Sequence, residues 1–194
     1  MRVNETFISL QGEGHFTGTP AFFLRLSGCN LQCPFCDTTH QAFREMSEDE
    51  IVREASREKP RHIVITGGEP ALQLTGSLVA KLHEAGFFIQ VETNGTLPLP
   101  QGIDWVTCSP KSLPLSIQII NELKVLYKGE GDDPEHFLAS LPKTGRLAPR
   151  LYLQPLDTGD KMRNRIILRD TIAYILQHPK WSLSLQTHKM LGIK

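Results

Sequence analysis

The sequence lacks an excess of charge of either sign, since 21 Lys and Arg residues balance 21 Asp and Glu residues. A neutral chain has no overall field that attracts a nucleic-acid backbone or an anionic membrane, so neither partner is expected. The sequence also lacks any run approaching the roughly 20 apolar residues that cross a bilayer. Met1 is followed by Arg2 to Glu5 instead of the apolar core of a signal peptide. We therefore expect a soluble cytoplasmic protein whose function lies in local sites.

The sequence has no internal repeat and no low-complexity linker. Its 194 residues, 40% hydrophobic and 22% charged, have the composition of an ordinary globular domain. The length exceeds a small motif but falls short of the roughly 250 residues of a full eight-fold βα barrel. One domain is therefore predicted.

Short β-rich runs alternate with helical patterns, as in proteins built from βα units around a largely parallel sheet. Ser47 and Glu50 have the spacing of a capping box at a helix start. The pattern fits an incomplete βα barrel or an open doubly wound sheet, and in both the ligands bind at the C-terminal ends of the strands. The predicted strands are 21–26, 62–66, 87–91, 105–108, 123–127, 151–153 and 183–185, and the predicted helices are 47–58, 75–85, 166–176 and one starting at Pro134.

Cysteine is scarce, with four residues in the chain, but three of them form the C-x3-C-x2-C segment Cys29, Cys33 and Cys36. In a reducing compartment, closely spaced thiols are more often metal ligands or catalytic groups than disulfides. Pro34 lies inside the segment and favours a loop over a helix. Three ligands suit an iron–sulfur cluster with one iron left open, whereas a structural zinc usually takes four protein ligands.

Two other interpretations of this segment stay open on spacing alone. One is a zinc knuckle completed by His40 or Cys108, and the other is a thioredoxin-type pair at Cys33 and Cys36. Either would make the protein a noncatalytic zinc-binding or electron-transfer module. We expect Cys108 to be a buried strand thiol, the common environment of a free cysteine.

The cysteine segment follows a predicted strand and carries Phe35 before its last cysteine, and in this it resembles the radical S-adenosylmethionine (SAM) superfamily. The glycine-rich segment Thr66 to Pro70 follows the next strand, as in that superfamily. Two glycines allow a backbone to approach a ligand closely, and the Glu69 carboxylate can hold an ammonium group. The resemblance implies an α/β fold, an incomplete TIM-like βα barrel with about six mainly parallel strands. It also implies one 4Fe–4S cluster on the three cysteines, with SAM on the open iron.

Further segments resemble the 7-carboxy-7-deazaguanine synthase family of queuosine and 7-deazapurine biosynthesis. The resemblance implies a single radical SAM domain over 1–194, with a family-specific N-terminal segment (1–20) and C-terminal tail (183–194). The segments span nearly the whole chain and are 9–14, 36–38, 92–95, 109–111, 154–157 and 185–189.

This resemblance implies a lyase that converts 6-carboxy-5,6,7,8-tetrahydropterin to 7-carboxy-7-deazaguanine with loss of ammonia. The expected chemistry is hydrogen abstraction by a 5′-deoxyadenosyl radical and a Mg²⁺-assisted ring contraction. A homodimer and a reductant protein such as flavodoxin or ferredoxin are also implied. The alternative within the superfamily is a glycyl-radical-enzyme activase, but segments 11–14 and 186–189 favour the small-molecule reaction.

The resemblance carries SAM contacts to residues at or just past the predicted strand ends. The segment at Asn94 is equally typical of a strand-ending turn, because Asn-Gly is a common turn pair. A lone lysine such as Lys111 is usually a solvated surface charge, and only its place in Ser-Pro-Lys favours binding. The expected SAM-binding residues are Phe35, Gly68, Glu92, Asn94, Ser109, Pro110, Lys111, Gln154, Pro155, Leu156 and Asp157.

The substrate needs one recogniser for its carboxylate and another for its pterin edge. Arg25 lies in an otherwise apolar run, where a buried guanidinium would need an anion, although it could instead face outward. A lone histidine such as His188 is more often structural than binding. The expected substrate contacts are Leu10, Gln11, Gly12, Glu13, Arg25, Thr66, His188 and Lys194, the last through its terminal carboxylate.

Thr38 matches the magnesium ligand of the family, with the substrate completing the site. Mg²⁺ keeps several waters and often binds through substrate oxygens, so one hydroxyl is consistent with such a site. Asp37 beside it is a second possible ligand, or a cap for the loop.

Overall fold

The centre of the molecule is a mixed β-sheet. The computed structural model describes residues 1–36, 42–141 and 149–194, and within these residues the sheet has nine strands. Its order is β3-β1-β2-β4-β5-β6-β7-β8-β9. The strands are β1 Arg2–Leu10, β2 Pro20–Leu26, β3 Arg44–Glu45, β4 His62–Gly67, β5 Phe88–Thr93, β6 Trp105–Cys108, β7 Glu122–Tyr127, β8 Arg150–Pro155 and β9 Ser182–Leu183.

The strand order identifies the architecture. From β2 onward each parallel strand pairs with the next parallel strand along the chain, without the reversal that marks a doubly wound sheet. The two antiparallel strands β1 and β3 extend the β2 edge. The fold is therefore the incomplete βα barrel, and the expectation of a mainly parallel sheet is confirmed.

The helices begin and end where local sequence signals place them. The predicted capping box is present: Ser47 Oγ accepts from the Glu50 backbone at 3.2 Å, and the Ser47 backbone donates to Glu50 Oε2 at 2.8 Å. Thr75 Oγ1 caps the second helix through Leu78 N at 3.0 Å. Within the described part of the chain, no helix is long and apolar enough to cross a membrane. The helices are α1 Glu48–Ser56, α2 Gly76–Glu84, α3 Glu135–Ala139, α4 Lys161–Gln177 and α5 Thr187–Leu191.

Strand β1 is the main difference from the predicted elements, since Arg2–Leu10 was expected only as an N-terminal segment. Its sequence mixes Asn4, Glu5 and Thr6 with apolar residues, so no hydrophobic period marks it as a strand. It is fixed instead by pairing with β2 along its length, from Val3 opposite Leu26 to Leu10 opposite Pro20. This pairing places β1 beside the first parallel strand.

Alternate side chains of each parallel strand face the helices or the barrel interior. On the helix side, Leu24, Ile65 and Ile89 join Ile51 of α1 and Leu78 of α2 in one fully buried cluster. A second cluster packs β6, β7 and β8 with Trp181 and one face of α4. The interior side of the strands is left for polar and charged residues.

The open side of the barrel is crossed by the segment 11–16, which follows β1. Gly14 N donates to Ser184 Oγ at 2.9 Å, and Thr187 N donates to Gly12 O at 2.9 Å. The Phe16 ring packs edge-on against Trp105 at 4.9 Å, as well as against His62 and Phe88. Aromatic rings thus close the end of the barrel where the parallel strands begin, and the C-terminal ends remain open.

Candidate active site

One pocket lies at the C-terminal ends of the parallel strands, where the fold predicts ligand binding. Every predicted site residue within the described ranges lines it except Pro110 and Pro155. Gln154 faces the pocket, so the next residue of β8, Pro155, points to the other face of the strand. Pro110 is buried between two lining residues. These two expected contacts therefore lie outside the pocket lining and stay predictions, while Thr38 and Asp37 lie outside the described residues.

The three cysteines of the C-x3-C-x2-C segment lie in a loop, as Pro34 indicated, and not on a helix. Cys29, Cys33 and Cys36 form no disulfide bond with one another and line the same pocket. Cys36 N donates to Cys33 O at 3.1 Å, and Leu31 N donates to Cys29 Sγ at 3.4 Å. Burial raises the pKa of Cys29, and the nearby Glu69 and thiol charges raise it further. The loop therefore presents three soft donors to one space.

The donor set fits an iron–sulfur cluster. Each cysteine of such a cluster binds a different iron, so the sulfur atoms do not have to meet at one point. Among residues 1–36, 42–141 and 149–194, no three His, Cys, Asp or Glu side chains are gathered closely enough to hold a single metal ion. The backbone N–H that points at Cys29 Sγ is the kind of hydrogen bond that tunes cluster sulfurs.

The two glycines at the end of β4 allow a close approach, but to the protein's own backbone. A Cβ at Gly68 would lie 1.8 Å from the carbonyl oxygen of Gly28, the residue before Cys29. Gly67 has φ +113°, and a Cβ there would lie 2.2 Å from Leu26 O. Gly68 N donates to Leu26 O at 2.9 Å. The glycines thus set the start of the cysteine loop against the end of β4.

The Glu69 carboxylate was expected to hold an ammonium group, but it is fully buried and is used inside the protein. It accepts hydrogen bonds from Thr93 Oγ1 at 2.6 Å, Asn94 N at 2.8 Å and Ala71 N at 3.0 Å. Glu69 therefore braces the turn that follows β5. Sequence alone does not show which backbone N–H groups a carboxylate meets.

Asn94 forms a strand-ending turn and also lines the pocket. Its Oδ1 accepts from Thr96 N at 2.9 Å, which is an Asx turn. Its Nδ2 donates to Asn30 Oδ1 at 3.0 Å, and Asn30 Nδ2 donates to Thr96 Oγ1 at 2.8 Å. The cysteine loop is therefore tied to the turn after β5 through Asn30.

A buried ionic group occupies the pocket interior. Lys124 Nζ donates to Glu13 Oε2 at 2.6 Å and to Glu92 Oε2 at 2.9 Å, and the Lys124 side chain is 4% exposed. Burial alone raises the pKa of Glu13, but the Lys124 charge outweighs it and lowers that pKa to about 2. The two carboxylates raise the pKa of Lys124 against the opposing effect of burial. Glu13 and Lys124 are thus held in their ionised forms.

Sequence reasoning missed Lys124. Lys124 lies inside the apolar run of β7, just as Arg25 lies inside an apolar run of β2. The sequence therefore carried the same signal for both residues. The segment that carries Glu13 supplies the partner from 111 residues away. The other missed lining residues are Phe7, Phe23, Leu31, Val64, Gly67, Thr93, Leu126, Gln186 and Lys189.

Amide side chains fix both carboxylates. Glu13 Oε1 accepts from Gln154 Nε2 at 3.0 Å and from Gln186 Nε2 at 2.8 Å. Glu92 Oε1 accepts from Gln90 Nε2 at 2.8 Å, and Gln90 Oε1 pairs in turn with His62 Nε2 at 2.8 Å. The orientation of each carboxylate is therefore set before any ligand arrives.

Lys111 is not the solvated surface lysine that its type alone favours. Its Nζ donates to Ser109 O at 2.8 Å and Ser109 Oγ at 2.9 Å, at the end of β6. Burial lowers the pKa of Lys111 to about 8, and the nearby Lys124 charge lowers it too. Lys111 is a cation that an anionic group entering the pocket would stabilise.

The remaining predicted residues sit around the rim. Arg25 is only half-buried and pairs with Glu5 at 3.0 Å, so an anion is already supplied by the protein. The His188 ring packs against Gly12, where a Cβ would lie 2.1 Å from Nδ1. Asp157 accepts from Lys189 Nζ at 2.7 Å, which lowers its pKa to about 2. Leu10, Gln11, Thr66 and Leu156 complete this part of the wall.

Glu122, at the start of β7, is a buried carboxyl group with an unpaired oxygen. Its Oε2 accepts from His15 N at 3.1 Å and Trp105 Nε1 at 3.3 Å, while its Oε1 has no hydrogen-bond partner among the described residues. Gly14 leaves the space for it, since a Cβ there would lie 1.9 Å from Oε1. Burial and the Glu92 charge raise the pKa of Glu122 to about 7.

Glu122→Gln should therefore remove a pH dependence of stability. A carboxyl group whose pKa is raised from 4.5 to about 7 favours the folded state at low pH, and this contribution is lost as the pH rises through about 7. Above pH 8 we expect the variant to be more stable than the parent by about 2–3 kcal/mol. Urea unfolding from pH 5 to 9 measures this, with Glu130→Gln on the surface as control. Parallel profiles for parent and Glu122→Gln would contradict the prediction.

Comparison with known proteins gives a consistent result along the whole chain. Residues 24–147 match the sequence model of the Radical SAM superfamily. The 7-carboxy-7-deazaguanine synthase of Bacteroides thetaiotaomicron is 46% identical over 194 residues, covering 100% of this chain and 98% of that protein. The protein of the same name from Caulobacter vibrioides is 38% identical, covering 98% of each chain.

A solved structure has the same fold. The crystal structure of QueE from Escherichia coli matches with a TM-score of 0.78 and 30% identity, over 95% of this chain and 92% of that chain. The chain therefore belongs to the radical SAM superfamily and, within it, to the 7-carboxy-7-deazaguanine synthase family.

Proposed function

We propose that this protein is a radical SAM lyase that converts 6-carboxy-5,6,7,8-tetrahydropterin to 7-carboxy-7-deazaguanine with loss of ammonia. The observation that carries the proposal is that separate chain segments, from Leu10 to Lys194, line one pocket together with the three cysteines. Full-length relatives that bear the name of this activity support it.

Cys29, Cys33 and Cys36 would hold a 4Fe–4S cluster, and a SAM molecule would complete its coordination. When bound, the cluster would supply the one-electron reduction of SAM that starts hydrogen abstraction from the substrate, with the electron coming from the proposed reductant protein. The residues of the chain position these groups and exclude water. A pocket lined by binding residues is consistent with this positioning role of the chain.

For SAM we propose contacts from the strand ends nearest the cysteine loop. Asn94 is tied to that loop through Asn30, so the turn after β5 and the cysteines are positioned together. Lys111 and Ser109 at the end of β6 offer a cation and a hydroxyl to a carboxylate. Phe35, Gly68, Glu92, Gln154, Leu156 and Asp157 complete the proposed set.

For the pterin edge we propose Glu13, with Leu10, Gln11 and Gly12. Pterin ring N–H groups need acceptors, and an oriented carboxylate is a strong one. Glu13 is fixed by Lys124, Gln154 and Gln186, so it approaches a ligand in one orientation. Arg25 would recognise the substrate carboxylate. Thr66 and His188 line the pocket as further proposed contacts, and the terminal carboxylate of Lys194 is another.

We also propose a bound Mg²⁺ ion, a homodimer and a reductant protein. Thr38, the proposed Mg²⁺ ligand, lies outside the described residues. A homodimer, a flavodoxin- or ferredoxin-type reductant and a cytoplasmic location are supported by the sequence resemblance. Residues 1–194 are proposed to act as one domain.

The direct test is anaerobic reconstitution with iron and sulfide, followed by incubation with SAM, reductant, Mg²⁺ and the carboxytetrahydropterin. Mass detection of the deazaguanine product is expected, and Thr38→Ala should lose the Mg²⁺ stimulation while keeping the cluster. Intact SAM cleavage without product would reject the substrate. Stoichiometric zinc without iron–sulfur absorbance would reject the radical enzyme.

Cys33→Ser should abolish cluster absorbance and lower turnover by at least about 10³-fold, because a soft thiolate ligand of the cluster is lost. Cys108→Ser is the matched control, since Cys108 is fully buried in β6 and outside the pocket lining. Iron content and absorbance of both proteins measure the difference. Equal cluster content in Cys33→Ser and the parent would contradict the ligand assignment.

A further inference from the structure

Two cations meet one carboxylate at the part of the pocket wall formed by β1 and β2. Arg25 Nε donates to Glu5 Oε1 at 3.0 Å, and Lys194 Nζ donates to Glu5 Oε2 at 2.6 Å. Each carboxylate oxygen thus holds one cation. Partial burial raises the pKa of Glu5, but Lys194 and Arg25 outweigh it and keep the pKa below its ordinary value. Glu5 therefore holds the two cations side by side.

An aromatic ring fixes the same arrangement. Arg25 Cζ lies 5.7 Å and Lys194 Nζ 5.2 Å from the centroid of the Phe7 ring. Phe7 stacks on Phe23 with centroids 4.9 Å apart and planes 1° from parallel. A cation over an aromatic face is attracted to the ring. The stacked rings form an apolar base beneath the two positive groups.

Both cations are accessible to a ligand. The Lys194 side chain is 66% exposed and that of Arg25 is 27% exposed, and both residues line the pocket. The Lys194 ammonium group has three N–H donors and gives one of them to Glu5 Oε2. A carboxylate that enters the pocket can accept another of these donors without displacing Glu5.

Carboxylate oxygens lie elsewhere in the same pocket. Glu13 and Glu92 surround Lys124 of β7, which is separated from β2 by β4, β5 and β6 in the sheet. The pocket thus presents two cations near β1 and β2, and two oriented carboxylates around Lys124. A bicyclic ligand with a carboxylate on one ring and N–H donors on the other would be oriented by this arrangement.

We infer that the Lys194 ammonium group, held in place by Glu5, acts beside Arg25 as a second cation for the carboxylate of the substrate, and is a specificity-determining residue. The inference rests on the proposed function, because it assumes a carboxylated heterocycle in this pocket. It concerns the side chain of Lys194, which is distinct from the expected contact through its terminal carboxylate.

The test measures binding to the reconstituted holoenzyme with SAM present, using the carboxytetrahydropterin and the same compound with a neutral carboxamide. Lys194→Ala should weaken binding of the carboxylate about 5- to 10-fold and leave the carboxamide unchanged. Lys194→Arg should restore the affinity, and high salt should reduce the difference. Lys180→Ala is the control, since Lys180 pairs with Glu135 at the same 2.6 Å outside the pocket.

An equal loss for both ligands in Lys194→Ala would assign Lys194 to anchoring the tail and overturn the inference. Unchanged binding of both ligands would overturn it as well. Titration needs no turnover, so a protein that binds the carboxylate through Lys194 but forms no deazaguanine would refute the proposed function and support this inference.

Discussion

Lys124→Met should lower the free energy of unfolding at pH 7 by about 3–5 kcal/mol, the usual cost of removing one partner from a buried ion pair. The Lys124 side chain lies between Glu13 and Glu92 and is 4% exposed. Methionine is similar in length and carries no charge, so two buried carboxylates would face each other unpaired. Urea unfolding of the parent and the variant measures the loss.

The same substitution should weaken the destabilising effect of acid. In the parent, the lowered pKa of Glu13 stabilises the fold above about pH 4.5, and this contribution is lost as the pH falls toward about 2. Without Lys124, burial still raises the pKa of Glu13 and only the Gln186 hydrogen bond and the His188 charge lower it, so the variant should lose less stability than the parent as the pH falls toward about 2. Parallel pH profiles would contradict this charge argument. Lys128→Ala, just past β7 and exposed, should change neither quantity.

Gly68→Ala should separate the cysteine loop from β4. Its Cβ would lie 1.8 Å from Gly28 O and 2.5 Å from Gly28 C, which are backbone atoms that cannot rotate away. We expect a loss of about 2–4 kcal/mol in unfolding free energy, because overpacked backbone must shift. Turnover should fall about 100-fold, since a displacement near 1 Å at a reacting centre has an effect of that size.

Gly76→Ala is the matched control for Gly68→Ala. Gly76 begins α2, and no atom lies within 4 Å of its added Cβ. Alanine there should leave turnover unchanged and alter stability by no more than about 1 kcal/mol. Thermal unfolding and SAM cleavage assays on both variants separate the two sites. Full activity in Gly68→Ala would show that the loop position does not depend on this backbone contact.

The parallel strands could be predicted because each is a short apolar run. His62–Gly67 and Trp105–Cys108 are examples whose ends differ from the prediction by at most one residue. The pocket could be predicted as well, because motifs at successive strand ends meet at one edge of a parallel sheet. Strand β1 could not be predicted in this way, since its polar sequence becomes a strand only through its partner β2.

The interior of the pocket depends on contacts that the local sequence does not show. Glu13 meets Lys124 from 111 residues away and Gln186 from 173 residues away. The prediction that Glu69 holds an ammonium group was wrong for a related reason. Its carboxylate accepts hydrogen bonds from Thr93 and Asn94, which lie at the end of the next parallel strand. Sequence patterns therefore identified residues of the site, while their pairings required the fold.

The segment 11–16 and the residues that begin α5 hold each other across the barrel opening, with Thr187 N and Oγ1 both donating to Gly12 O. Contacts of such long sequence separation form late, since a long loop must close before they are made. During synthesis the sheet can assemble while Glu13 still lacks Gln186. We therefore expect the capacity to bind a ligand to be acquired only once residues 186 and 187 have been added and have met segment 11–16.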